Sequence, residues 1–162
     1  MNRRNFLVTT ACVIGGSHSF STPVMAISST SGENFEVVRS KKQWQAKLSD
    51  FEYQVMREEK TERPGSSPLL NEKREGTYFC KGCDLPLYPS NTKYESGTGW
   101  PSFYDSLPDA VGTKEDNGFF MKRTEVHCRR CGSHLGHIFD DGPQPTGLRH
   151  CLNGISLVFK PA

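Results

Sequence analysis

The sequence predicts a mainly β domain of antiparallel strands, entered through short helices and braced by cysteines. Three observations carry this. Beyond Thr77 the apolar residues fall into brief runs rich in β-branched and aromatic side chains: TYFC, GFFMKRTEVHC, HIFDDGP and HCLNGISLVF, parted by Pro, Gly, Asn and Asp. Ahead of them, KKQWQAKLSDFEYQVMREE at 41–59 places Trp44, Leu48, Phe51, Val55 and Met56 at helical spacing. Four cysteines, finally, come as two CxxC pairs within the β region.

The chain begins with MNRRNFLVTTACVIGGSHSFSTPVMA. A basic pair, an uncharged stretch of apolar and small residues and a small-residue end at Ala26 read as a signal peptide of the twin-arginine type over 1–26. A short membrane anchor is the alternative. The stretch is broken by Gly15-Gly16 and by polar residues, which makes it too short and too weak to span a bilayer, so no stable anchor is expected. Export by this route leads to the periplasm or the thylakoid lumen. Residues 27–40 read as a linker, and the domain proper runs over 41–162, a length suited to one domain. Cleavage after Ala26 removes Arg3 and Arg4 and no acid, so Lys+Arg falls from 20 to 18 against 18 Asp+Glu. A formally neutral chain has no basic face for nucleic acid, and none is expected as a partner.

Within 41–59 the helical pattern breaks near the middle, where Ser49 or Asp50 offers an N-cap for a second helix. Residues 61–68 form a loop by their Pro, Gly and Ser content. The β runs then carry the cysteines. Cys80 and Cys83 make one CxxC, Cys128 and Cys131 the other, with 44 residues between them. Each tight turn lets two sulfurs reach one ion, and two such turns complete a closed tetrahedral shell of four thiolates. A closed shell has no open position, so one zinc held there would be structural, binding the ends of the β domain. Two redox pairs or two disulfides are the alternative in an exported protein. Gly82 and Gly132 suit tight knuckle turns, and no thioredoxin-like pattern surrounds either pair, which favours zinc.

Cys151 has no CxxC partner. As part of a strand, alternation would put Arg149, Cys151, Asn153 and Ile155 on one face. A guanidinium there would favour the thiolate, which is the nucleophilic form. A buried, inert cysteine is the alternative. Two further stretches bear on the choice. HLGHIFDDGP holds His134 and His137 three apart, followed by Asp140 and Asp141. In a regular strand the two histidines face opposite ways, so they meet one site only if the chain bends, as Gly136 would permit. In SGTGWPSF, Gly97 and Gly99 frame a loop that presents Trp100, either as core or as a wall for an apolar ligand group.

The series CxxC, SGTGWPSF, CxxCGSHLGHIFDDGP, RHCLNGISLVF resembles the methionine-R-sulfoxide reductases of the B type, in their order, from about Lys41 to the C-terminus. The resemblance implies two twisted antiparallel sheets with short N-terminal helices. It implies reduction of the R epimer of methionine sulfoxide, mainly in oxidised proteins, with thioredoxin or a similar thiol as reductant; a monomer is expected. Cys151 would attack the sulfoxide sulfur and become a sulfenic acid. His137 and Asn153, with His134 as a further catalytic candidate, would stabilise charge on the oxygen. Trp100 would hold the methyl group, with Arg149 and Asp141 as supporting substrate-site residues. Cys80, Cys83, Cys128 and Cys131 would hold the metal. One departure concerns recycling: many members carry a resolving cysteine where this chain has Thr98. A cysteine hydrolase, needing no reductant, and a zinc-knuckle binding module with an inert Cys151 are the competing classes.

Overall fold

A computed structural model describes residues 34–118 and 122–162. The expected signal segment lies outside the described residues. Among those described, no helix is long and apolar enough to cross a membrane. Residues 34–40, the described part of the expected linker, are neither helix nor strand but are docked. The Val37 N–H donates to the Arg130 carbonyl at 2.9 Å, and the Phe35 ring stands edge-on to His127.

Two helices follow. α1 (Lys41–Lys47) starts at Ser40 and α2 (Asp50–Glu58) at Ser49, each with a reciprocal capping box, to Gln43 and Glu52 respectively. Each serine oxygen accepts from the N–H three residues on, so two otherwise orphaned donors are satisfied at each start. Glu59 ends α2 in the left-handed conformation, with φ 57°. Trp44, Leu48, Val55 and Met56 are buried, as their spacing predicts, whereas Phe51 remains exposed. Arg39 and Arg57 both stack on the Trp44 ring, each 4.8 Å from its centroid.

The rest is β structure in two antiparallel sheets. β1 (Gly76–Cys80) lies between β2 (Pro86–Pro89) and β9 (Leu157–Pro161). The second sheet runs β3 (Lys93–Tyr94), β4 (Ser102–Phe103), β8 (Arg149–Leu152), β7 (His134–Phe139), β6 (Arg123–Cys128), β5 (Val111–Asp116). Tyr78, Tyr88 and Phe103 are fully buried, and the Phe103 ring meets the Tyr78 and Tyr88 rings at 4.9 and 4.7 Å. Phe103, His150, Leu152 and Val126 present the inner face of the larger sheet.

One β run divides. HCLNGISLVF is two strands in different sheets, β8 and β9, joined by a 3₁₀ turn at Gly154–Ser156. The cause is local. The Glu62 carboxylate accepts the Gly154 and Ile155 N–H groups, and a Cβ on Gly154 would collide with Ser67. These contacts take the backbone out of the ladder just after Leu152.

Candidate active site

Register brings the chemistry together. His137 opposes Cys151 across β7 and β8, and Cys151 opposes Ser102 on β4. Directly opposed residues share a face, so the row Ser102, Cys151, His137, Glu125, Lys114 crosses five strands on the face away from Leu152. Gly136 permits the closeness of β7 and β8, because a Cβ there would run into the Cys151 carbonyl oxygen.

The two histidines do meet. A β-bulge between Val126 and His127 sets Leu135 out of register, so that His127 opposes His134. Leu135 turns into the core, and His134 returns to the side of His137, with ring centroids 5.4 Å apart. The His134 Nδ1 lies 2.7 Å from Glu125 Oε1, while its Nε2 is buried with no protein partner. Burial opposes ionisation of Glu125, but hydrogen bonds from His127 and His134 and the Lys114 charge outweigh it and hold its carboxyl below the usual range.

The His137 Nε2 lies 2.8 Å from Asp116 Oδ2, which Arg123 also reaches, at 2.7 Å. The Gly118 N–H, then the His137 bond, brings the Asp116 carboxyl down to about 2. Burial lowers the His137 pKa, and Asp116 restores only part of it. At neutral pH a neutral imidazole therefore donates its Nε2–H to a carboxylate, leaving Nδ1 as the exchanging position.

A cleft of about 150 Å³ opens over this row, lined by Thr61, Trp100, Arg123, His137, Phe139 and Cys151 among others. Trp100 is fixed by its Nε1–H, which donates to the Glu62 carbonyl at 3.0 Å, on a loop whose glycines Gly97 and Gly99 have φ of 73° and 90°. Arg149 stacks on Phe139, 4.3 Å from its centroid, and is held by two hydrogen bonds to Asp141, at 2.8 and 2.9 Å. Asp141 is thus tied to the site through Arg149. Burial pushes the Cys151 thiol up from its ordinary value; the Thr98 hydroxyl and the Arg149 guanidinium act against that rise.

Asn153 lines the cleft but follows β8 instead of continuing it. Its Oδ1 accepts from the Glu62 N–H at 2.9 Å and its Nδ2 donates to the Leu135 carbonyl at 3.2 Å. The carboxamide therefore clamps the Glu62 loop to β7. Asp116, Arg123, Glu125, Glu62 and Phe139 were not singled out by the sequence. Asp116 sits in the polar run KEDNG and Glu62 in a loop, with no spacing to mark either.

The four remaining described cysteines gather apart from this cleft, their sulfurs all within 4.8 Å of one another. Cys80 and Cys131 are 3.7 Å apart and Cys83 and Cys128 3.5 Å, and all are free thiols, not disulfides. Four sulfurs about 2.3 Å from a tetrahedral zinc stand about 3.8 Å from one another, so the cluster can hold that ion. The knuckles match. The Asp84 N–H donates to Cys80 and that of Gly132 to Cys128, while the Cys80 and Cys128 N–H groups donate to Leu85 and Ser133. Asp84 and Gly132 both have positive φ, 58° and 64°. The left-handed position in the first knuckle is thus Asp84, not Gly82. Gly82 instead keeps the turn close-packed, since a Cβ there would press on Ser133, Met56 and Cys131.

A cleft with an aligned cysteine and histidine, and a four-thiol cluster apart from it, define a β protein with a candidate active site and a candidate metal centre. Residues 48–161 match the SelR domain. The chain is 52% identical over 122 residues to the peptide methionine sulfoxide reductase MsrB of Alteromonas mediterranea, covering 75% of this chain and 86% of that one. It is 52% identical over 125 residues to the same-named protein of Methanosarcina mazei (76% and 89%) and 50% over 127 residues to that of Pseudomonas putida (78% and 96%). The chain belongs to the SelR family, the methionine-R-sulfoxide reductases of the B type.

Proposed function

We propose that this chain reduces the R epimer of methionine sulfoxide in oxidised proteins to methionine, as a monomeric repair enzyme in an exported compartment. The observation that carries the chemistry is the direct opposition of Cys151 and His137 in a cleft walled by Trp100 and Phe139. The relatives' shared description as peptide methionine sulfoxide reductases supports the substrate class. The twin-arginine pattern of the first residues supports export.

His137 takes the Cys151 proton on its Nδ1, the thiolate attacks the sulfoxide sulfur, and the imidazolium so formed delivers that proton to the oxygen. The bond formed between the two sulfurs then breaks as the oxygen passes to the Cys151 sulfur; the substrate's S–O bond is lost, methionine departs, and Cys151 is left as a sulfenic acid. The sulfoxide is reduced and Cys151 oxidised by two electrons. An external thiol, thioredoxin-like or small, then forms a mixed disulfide with Cys151 and releases water. A second thiol restores Cys151 and leaves as the disulfide. Trp100 receives the methyl group, and His134, held by Glu125, packs behind His137. Cys80, Cys83, Cys128 and Cys131 hold one structural zinc, which, when bound, ties the end of β1 to the end of β6.

The test is turnover of epimer-resolved methionine sulfoxide with dithiothreitol. Consumption of the R form alone, abolished by Cys151→Ser, is expected. Equal turnover of both epimers, or activity that survives Cys151→Ser, would overturn the reading.

A further inference from the structure

A file of polar groups runs away from Cys151. Thr98 Oγ1 lies 3.9 Å from the Cys151 sulfur, at the outer reach of a hydrogen bond to sulfur. Ser96 Oγ is 2.9 Å from Thr98 Oγ1 and 2.7 Å from Ser102 Oγ, and Ser102 Oγ is 3.1 Å from the Trp100 carbonyl oxygen. Ser102 is buried beside Cys151 in the sheet, whereas Ser96 and Thr98 are half-buried on the loop that carries Trp100.

The direction of this file follows from its far end. A hydroxyl has one hydrogen to donate, and a carbonyl oxygen only accepts. Ser102, within reach of that carbonyl, is placed to give its hydrogen to Trp100. Ser96 must then donate to Ser102, Thr98 to Ser96, and the Cys151 S–H to Thr98. Every hydrogen points away from the sulfur, which is the arrangement a resting thiol needs. A thiolate can only accept. For Thr98 to serve it, Thr98 must either leave Ser96 or the whole file must turn round, stripping the Trp100 carbonyl of its donor.

We infer that Ser96 and Ser102 are positioning residues for the nucleophile, holding Thr98 as the acceptor of the resting Cys151 hydrogen and yielding it as a donor only when the file reverses. The inference rests on the reading of Cys151 as the nucleophile. It gives the loop SGTGW a role that needs no second thiol. The charged and titratable groups that also face Cys151 are Arg149 on its own strand with Asp141 behind it, His137 on β7, Tyr94 on β3 and Arg123 across the cleft. All stay in place in the variants below.

Opposite signs test the arrangement. The rate at which iodoacetamide alkylates Cys151 in the zinc-loaded protein, followed on its peptide by mass spectrometry across pH, gives the ionisation midpoint of that thiol. Thr98→Val removes the hydroxyl that reaches the sulfur and should raise the midpoint. Ser96→Ala and Ser102→Ala free Thr98 to donate and should lower it, each variant by about one pH unit for one charge-assisted hydrogen bond. Thr98→Ser should keep the midpoint. A general loosening of the loop would move all the alanine and valine variants the same way, and that result, or no shift in Ser96→Ala, would overturn the inference. Ser96 is half-buried, so its variant carries the test if Ser102→Ala fails to fold. Split midpoints in a protein that does not reduce the sulfoxide would uphold the file and sink the proposed function. Unsplit midpoints in an active enzyme would do the reverse.

Discussion

The His137 Nε2 and the Asp116 Oδ2 stand 2.8 Å apart, joining β7 to the end of β5 across the intervening β6. Asp116 also accepts from Arg123 and from the Gly118 N–H, so its ionised form is over-determined. A carboxylate fixed in this way sets which histidine nitrogen is protonated.

Asp116→Asn should therefore act through His137. Without the carboxylate the His137 pKa falls further, and the limb of the rate profile that needs imidazolium should move to lower pH. The stability difference has a defined window as well. The folded Asp116 carboxyl is held at about 2, below an unfolded value of about 3.9. Its contribution is present above the unfolded value and is lost as pH falls toward the folded one. The gap in denaturant midpoint between wild type and Asp116→Asn should be level above about pH 5 and close between roughly 4 and 2.

Trp100 and His137 should separate in kinetics. Trp100→Ala should raise KM roughly tenfold or more, as an aromatic wall is lost. His137→Ala should slow the sulfenic-acid-forming step by about 10²–10⁴, the usual worth of a placed proton donor. Single-turnover measurements with the R epimer distinguish the two; equal effects on KM and on the chemical step in both variants would contradict the division.

The metal cluster should behave as structure. Metal analysis is expected to find one zinc per chain. Cys83→Ser should release it and lower Tm by about 10 °C or more, since such a site contributes several kcal/mol to folding. Purified protein with no zinc and with these four thiols in disulfides would refute this.

Recycling should need an outside thiol. Thr98 cannot form a disulfide, and the other described cysteines lie in the four-thiol cluster. One equivalent of sulfoxide, given without reductant, should release about one methionine per chain and leave trappable sulfenic acid on Cys151. An intramolecular disulfide from Cys151 to a cluster cysteine would show that the cluster takes part in the redox cycle.

Glu62→Ala should destabilise the protein by about 2–4 kcal/mol, because two backbone donors lose their acceptor in a packed turn. Urea unfolding measures it. An effect within a few tenths of a kcal/mol would mean that water replaces the carboxylate there.

Much of this was legible in the sequence. The start of the second helix, at Ser49 or Asp50, follows from local capping, and the quartet from CxxC spacing. Both are short-range signals that survive into the fold. The bend that unites His134 and His137 was legible as a requirement, although the bulge that meets it lies in the pairing with β6. Asp116, Glu125 and Glu62 were not legible, because each acquires its role from a residue at least nine positions away. The division of HCLNGISLVF into two strands depends likewise on Glu62, 92 positions from Gly154. Periodicity within the run has no access to that contact.

The close pairing of β7 with β8 at Gly136 has a bearing on folding fidelity. A slip of one residue along β8 would swap the two faces of the strand. Cys151 would turn inward, and His150 and Leu152, both buried in the core, would turn out to the cleft. The same error would erase the nucleophile and unpack the interior. Misregistered molecules would thus lack the stability to persist beside the working ones, so the folded population polices its own competence.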